Sequence, residues 1–192
     1  MNFDLNEDEE MLKALAERFV DDHYQDLERR RSYLAGADGY SAQLWALLSE
    51  LGLVAAPLGF ESGGMALDAT AIATVFEALG RGLVVEPLIE NVLVAARLLE
   101  RVGDEAVRGQ WMEALAMGRS RLALAHAEHG ARGGRTFVDT RVGGQGSLTG
   151  TKSCVPAGAG VAGYIVSARE SGAPTDASGV ALYLVAADAP GL

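Results

Sequence analysis

Through the first two-thirds of the chain, apolar residues recur at spacings of three and four, the period of one helix face. Asn6, with Glu9 three places on, reads as an N-cap, and Met11, Leu12, Leu15, Phe19 and Val20 form the first stripe behind it. A second stripe starts at Ser41, carries Leu44, Trp45, Leu47, Leu48 and Leu51, and stops at Gly52. Asp68 can cap a third, with Ile72, Val75, Phe76 and Leu79 before Gly80. The fourth covers Leu88 to Glu100 and puts Ile89, Val92, Leu93, Ala96 and Leu99 on one side. The last opens at Asp104, sets Val107, Trp111 and Leu115 four apart, and ends at Gly118. Arg29, Arg30 and Arg31 read as the solvated surface of a helix or loop. Glu61 to Gly64 reads as a turn whose glycines supply positive φ.

From about Arg121 the pattern shortens. Leu122 to His126, Thr136 to Val142, Tyr164 to Ala168 and Val180 to Val185 are short apolar runs separated by Gly, Pro, Asp and Ser, the mark of β-strands. Helices followed by strands predict an α+β fold rather than alternating βα units. The expected layout is an all-α helical bundle domain over residues 1–120 and an incomplete antiparallel β-domain over 121–192. The last predicted strand is followed only by Asp188 to Leu192, which leaves its edge uncovered. Because open edges invite mispairing, further chain or another subunit is expected there.

Charge narrows the partners. The sequence has 26 acidic against 16 basic residues, a net charge of −10, which excludes a nucleic-acid backbone as partner. Cys154 is the only cysteine, so no internal disulfide can form and a reducing compartment is expected. The acidic start, Met1 to Glu10, is unlike a targeting peptide, and no apolar run reaches membrane-spanning length. The expectation is a soluble, cytoplasmic protein with no membrane partner.

Several motifs fail on inspection. Gly158, Gly160 and Gly163 match the dinucleotide fingerprint, but that site needs a strand before the glycines and a helix starting on them, whereas Tyr164 to Ala168 reads as another strand. His126, Glu128 and His129 lie close together, yet a strand would turn His129 away from the other two and nothing nearby completes a metal site. No nucleophile elbow is present. Gly150 to Gly158 is different: it begins like a strand, then Pro156 stops it and Ala157 and Gly158 remove bulk. A plain turn, a phosphate cradle and a surface kept open for a flat ligand all remain possible readings.

Taken in order, the motifs resemble the acyl-CoA dehydrogenase family. Trp45 to Leu53 is similar to its L-x-E-L-G-L pattern, Glu61 to Gly64 to its P-E-x-x-G-G loop, and Phe76 to Arg81 to E-E-L-G-R. Leu122 to Ala131 sits where the family has T-E-P-x-A-G-S-D, Gly150 to Lys152 matches G-x-K, and Val185 to Gly191 matches V-x-x-D-x-P-G. Phe3 to Leu5, Arg29 to Leu34, Val85 to Pro87, His126 to Glu128 and Val166 to Arg169 look most like the small subunit of pimeloyl-CoA dehydrogenase and its kin.

The resemblance implies an α-helical N-terminal domain, a middle β-domain of which part is present, and a C-terminal four-helix domain absent from this sequence. It implies FAD as cofactor and α,β-desaturation of an acyl-CoA thioester, with an electron-transfer flavoprotein-like acceptor and homo- or hetero-oligomers of related subunits. Most members carry their glutamate base in the C-terminal domain, so no catalytic residue is assigned here. Cofactor-binding positions carry over to Leu124, His126, Ala127, Gly133, Cys154 and Pro156. Ala127, Cys154 and Pro156 replace the family's Thr, Trp and Thr, and Arg132 to Gly134 replaces G-S-D, so hydroxyls and a ring are missing. Two functions follow: a flavin-dependent dehydrogenase, or its small subunit, and a non-catalytic scaffold that packs against a catalytic homologue.

Overall fold

The computed structural model describes residues 5–192, which form two compact units, one up to Ser120 and one from Arg121 to Leu192. Phe3, quoted above for the resemblance, lies outside the described residues.

The first unit is helical, and its caps begin where the sequence places them. Helix α1 (Glu7–His23) carries a full capping box: the Asn6 side chain accepts from Glu9 N–H and the Glu9 carboxylate accepts from Asn6 N–H. Leu12, Ala16, Phe19 and Val20 are its buried stripe, while Met11, expected inside, is exposed. Ser41, Asp68 and Asp104 cap α3 (Ala42–Glu50), α4 (Ala69–Arg81) and α6 (Glu105–Ala116), each accepting from an amide three residues on. Helix α1 packs against α4. An additional helix, α2 (Leu27–Ala35), contains the arginine triplet and buries no residue, which is why periodicity did not define it.

The fourth helix departs from expectation. Its first turns, Ile89–Ala96, are wound as a π-helix, with Arg97 N–H donating to the Val92 carbonyl five residues back, before α5 (Arg97–Val102) resumes ordinary winding. The extra residue rotates the buried face: Val92, Ala95, Ala96 and Leu99 are buried, whereas Ile89 is exposed.

Two glycines are fixed by close approach. Gly118 ends α6 with φ +64, and a Cβ there would sit 2.0 Å from Ser49 Oγ, because the Trp45 indole N–H reaches the Gly118 carbonyl at 2.8 Å. A Cβ on Gly64 would stand 2.1 Å from the Leu58 carbonyl oxygen, so the Glu61 turn closes only on glycine.

The second unit is a five-stranded sheet built on β4 (Gly163–Arg169). Its partner β5 (Val180–Ala186) runs antiparallel along its whole length, from Gly163↔Ala186 to Arg169↔Val180. On the other edge β1 (Leu122–Ala125) pairs in parallel register, Leu122↔Gly163 to Ala125↔Val166, and β2 (Arg141–Val142) meets β4 in parallel at Arg141↔Arg169. Strand β3 (Leu148–Thr149) lies antiparallel to β2. The sheet is therefore mixed: the expected antiparallel pairing holds for β4–β5 and β2–β3, while β1 reaches β4 across a long connection and runs beside it in the same direction.

Arg169, fully buried, organises the far end of this sheet. Its guanidinium donates to the carbonyls of Val138, Ser178, Pro174, Asp176, Ser171 and Thr136 at 2.7–3.3 Å and meets no carboxylate among the described residues. A planar five-donor fork suits this task better than an ammonium would.

Among the described residues no helix is long and apolar enough to cross a membrane, and no group of three His, Cys, Asp or Glu converges as a metal site.

Candidate functional site

The candidate residues cluster where β1 ends. Strand alternation puts Leu124 opposite Ile165, and the same register carried on by two residues sets His126 beside Ser167. The His126 ring bridges them: Nδ1 lies 2.9 Å from Ser167 Oγ, and Nε2 lies 2.9 Å from the Arg135 carbonyl. A carbonyl only accepts, so Nε2 carries hydrogen, and in the neutral ring Nδ1 accepts the Ser167 hydroxyl. This contact draws residues 132–135 back against the end of β1.

Below His126 lies a buried ionic cluster. Lys152 Nζ donates to Glu128 Oε1 at 2.6 Å, to Ser167 Oγ at 3.0 Å and to the His126 carbonyl at 3.4 Å, spending all its hydrogens. Glu128 accepts in addition from the Asp139 and Thr140 amides at 2.7 and 3.0 Å and from Thr140 Oγ1 at 2.7 Å. Burial by itself pushes the Glu128 carboxyl up. The hydrogen bonds from Lys152, Thr140 and the two amides outweigh it and hold the group at about 2.

Above the cluster the two segments meet. Ser153 N–H donates to the Ala127 carbonyl at 2.8 Å, so the end of β1 and the Gly150–Gly158 stretch lie side by side. Gly150 to Val155 belongs to no helix or strand. Cys154 has φ +50, and Pro156 and Ala157 form a turn closed by Gly158 N–H to the Val155 carbonyl, with φ +49 at Ala157, the arrangement of a type II turn.

The sequence-predicted positions divide accordingly. His126, Ala127 and Cys154 are brought together; Ala127, Cys154 and Pro156 are exposed, and Leu124 is half-buried on β1. Gly133, φ +82, is an exposed turn residue held near His126 only through the Arg135 contact. Sequence reasoning did not single out Lys152, Ser167 and Thr140. Lys152 did leave a signal, being one of only two lysines in a chain with 16 basic residues. A separate cavity of about 1030 Å3 in the helical unit, between the Phe60–Ser62 turn and α6, contains none of these positions.

The end of β1 and residues 150–158 share one face here, a shelf. Nothing larger than Cys or Pro projects from its exposed positions 127, 154 and 156, and the two backbones forming it are laced together. Its side chains offer no hydroxyl at these positions, so polar recognition there falls to main-chain groups.

A helical unit followed by a partial sheet matches the acyl-CoA dehydrogenase class of fold. Residues 6–119, more than half the chain, match "Acyl-CoA dehydrogenase, N-terminal domain", and the chain belongs to that family. It is 27% identical over its whole length to acyl-CoA dehydrogenase FadE27 of Mycobacterium tuberculosis, covering 49% of that protein. Among solved structures, the Tcur3481–Tcur3483 steroid acyl-CoA dehydrogenase G363A variant is 30% identical, with TM-score 0.83, over 96% of this chain and 49% of that one. The ChsE4–ChsE5 complex of Mycobacterium tuberculosis is 28% identical, with TM-score 0.83, over 100% and 50%. The chain thus spans about half the length of the relatives it matches.

Proposed function

We propose that this chain is the FAD-holding part of a heteromeric acyl-CoA dehydrogenase, acting in α,β-desaturation of an acyl-CoA thioester and most similar in role to the small subunit of pimeloyl-CoA dehydrogenase. The observation that carries this reading is the 2.8 Å bond from Ser153 N–H to the Ala127 carbonyl, which joins the two predicted cofactor segments at the small exposed residues Ala127 and Cys154. Two of the similar structures are described by paired chain names, which supports a subunit arrangement for this chain too.

Bound FAD supplies the hydride acceptor for the acyl Cβ, and the protein contributes position and electronics. Ala127, Cys154 and Pro156 form the face on which the ring lies, with small side chains that keep it clear. Leu124, on β1, and Gly133, in the turn beside His126, extend that surface on the same segment. The base that removes the α-proton comes from a homologous chain or segment, since neither buried carboxylate here is available: Glu128 is consumed by Lys152 and Thr140, and Glu86 by the Tyr24 hydroxyl at 2.5 Å. Electrons leave to an electron-transfer flavoprotein-like acceptor.

The test is coexpression of the chain, at its full open-reading-frame length, with a neighbouring homologous subunit. The expected product is a yellow complex that reduces an artificial electron acceptor when acyl-CoA is added. A colourless complex that takes up no FAD assigns the chain a scaffold role instead.

A further inference from the structure

We propose that Lys152 is a positioning residue for the cofactor, aiming the main-chain N–H of Ala127 at the shelf; this rests on the flavin reading above. The argument begins with peptide geometry. The peptide bond joining His126 to Ala127 is planar, and no cis bond occurs among the described residues, so the Ala127 N–H points opposite to the His126 carbonyl. That carbonyl faces the Lys152 ammonium at 3.4 Å, towards the buried cluster. The Ala127 N–H is thereby turned away from the cluster, and Ala127 itself is exposed. One carbonyl along, the Ala127 C=O is taken by Ser153 N–H at 2.8 Å, so both peptide planes flanking Ala127 are fixed.

The ammonium does not act alone. Its bond to Ser167 Oγ at 3.0 Å orients that hydroxyl towards His126 Nδ1, whose ring then reaches the Arg135 carbonyl through Nε2. One cation therefore fixes the main chain at 126–127 directly and the 132–135 turn through two relayed hydrogen bonds. With no hydroxyl on Ala127, Cys154 or Pro156, a ligand on this shelf depends on main-chain donors, and their aim sets its affinity. The lysine side chain is 10% exposed and the facing Glu128 side chain 6%, so water cannot substitute for either. An arginine fork, broader than an ammonium, cannot serve the same three acceptors.

The test separates aim from stability. Lys152→Met strands the buried Glu128 charge and destabilises the unit, whereas the double variant Lys152→Met/Glu128→Gln removes both charges. For the full chain we expect the double variant to be more stable to heat than Lys152→Met alone while its FAD dissociation constant, read by flavin fluorescence quenching, stays at least tenfold weaker than the parent's. The visible flavin spectrum should also shift in both variants, which a purely structural lysine would not cause. Hydrogen exchange and the 15N shift of the Ala127 amide, measured without FAD, should change in both. If the double variant binds FAD as the parent does, the proposal is overturned. If the parent binds no FAD, the flavin reading fails, and the Ala127 amide alone decides: an unchanged amide in the double variant overturns the positioning role as well.

Discussion

Glu128→Gln should remove a specific, calculable part of the sheet unit's acid sensitivity. The folded group is held near 2 against an ordinary 4.5, so the folded state releases its proton more readily than the unfolded chain. At about 1.4 kcal/mol per tenfold change, that gap corresponds to roughly 3 kcal/mol of stabilisation at neutral pH. Side-chain burial of both partners keeps this from being screened as a surface pair would be. Because the folded value is depressed, the stabilisation is complete well above pH 4.5 and is lost as pH falls through 4.5 towards 2. About 2 of the 3 kcal/mol should be gone by pH 3. Gln keeps the shape and can still accept from Lys152, but it does not titrate. Urea titrations from pH 7 to pH 3, with hydrogen exchange of the Ile165 and Val166 amides reporting the sheet unit, give the comparison. The parent should lose about 2 kcal/mol more than Glu128→Gln across that range. Parallel pH profiles for the two proteins would refute the reasoning and place the Glu128 carboxylate in ordinary solvent contact.

Three further outcomes follow from the same structure. Glu86 is buried, and burial pushes its carboxyl up against the hydrogen bonds from Tyr24 and Ser41; Glu86→Gln should therefore be more stable than the parent at pH 7 in chemical denaturation. A raised folded value means the charge penalty is absent below pH 4.5 and grows above it, so that advantage should vanish in acid. Arg169→Met should cost about 3 kcal/mol or more, since the carbonyls of Ser178, Pro174 and Asp176 together lose their donor, with proteolytic nicking in 170–179 as the local readout. Ala127→Thr, restoring the hydroxyl of the family pattern, should tighten FAD binding about fivefold in fluorescence titration, the worth of one net hydrogen bond near 1 kcal/mol.

Local chemistry was readable in the sequence, and long-range chemistry was not. Asn6, Ser41, Asp68 and Asp104 mark helix starts because a cap bonds an amide only three residues away. Helix α2 escaped because a helix with no buried face leaves no apolar period to read. The parallel placement of β1 beside β4 joins residues about forty positions apart, and strand alternation carries no information about partner or direction. The same distinction applies to the site. The small residues at 127, 154 and 156 could be seen one by one, but the bond between Ala127 and Ser153 comes from folding. Lys152 looked like one letter of a short motif; its three acceptors sit on two other stretches of chain, residues 126–128 and Ser167 on β4.

The π-wound stretch from Ile89 to Ala96 bears on how this helix can change in length. A π turn accommodates one residue more than an α turn over the same hydrogen-bonded span. Deleting a single residue there would let the ladder close with ordinary α bonds and leave Arg97–Val102 facing as before. The same deletion within α4 would swing every later side chain by about 100° and expose Val75, Ala78 or Leu79. Length variation among homologues of this unit should therefore concentrate between positions 89 and 96, where the helix already stores the slack.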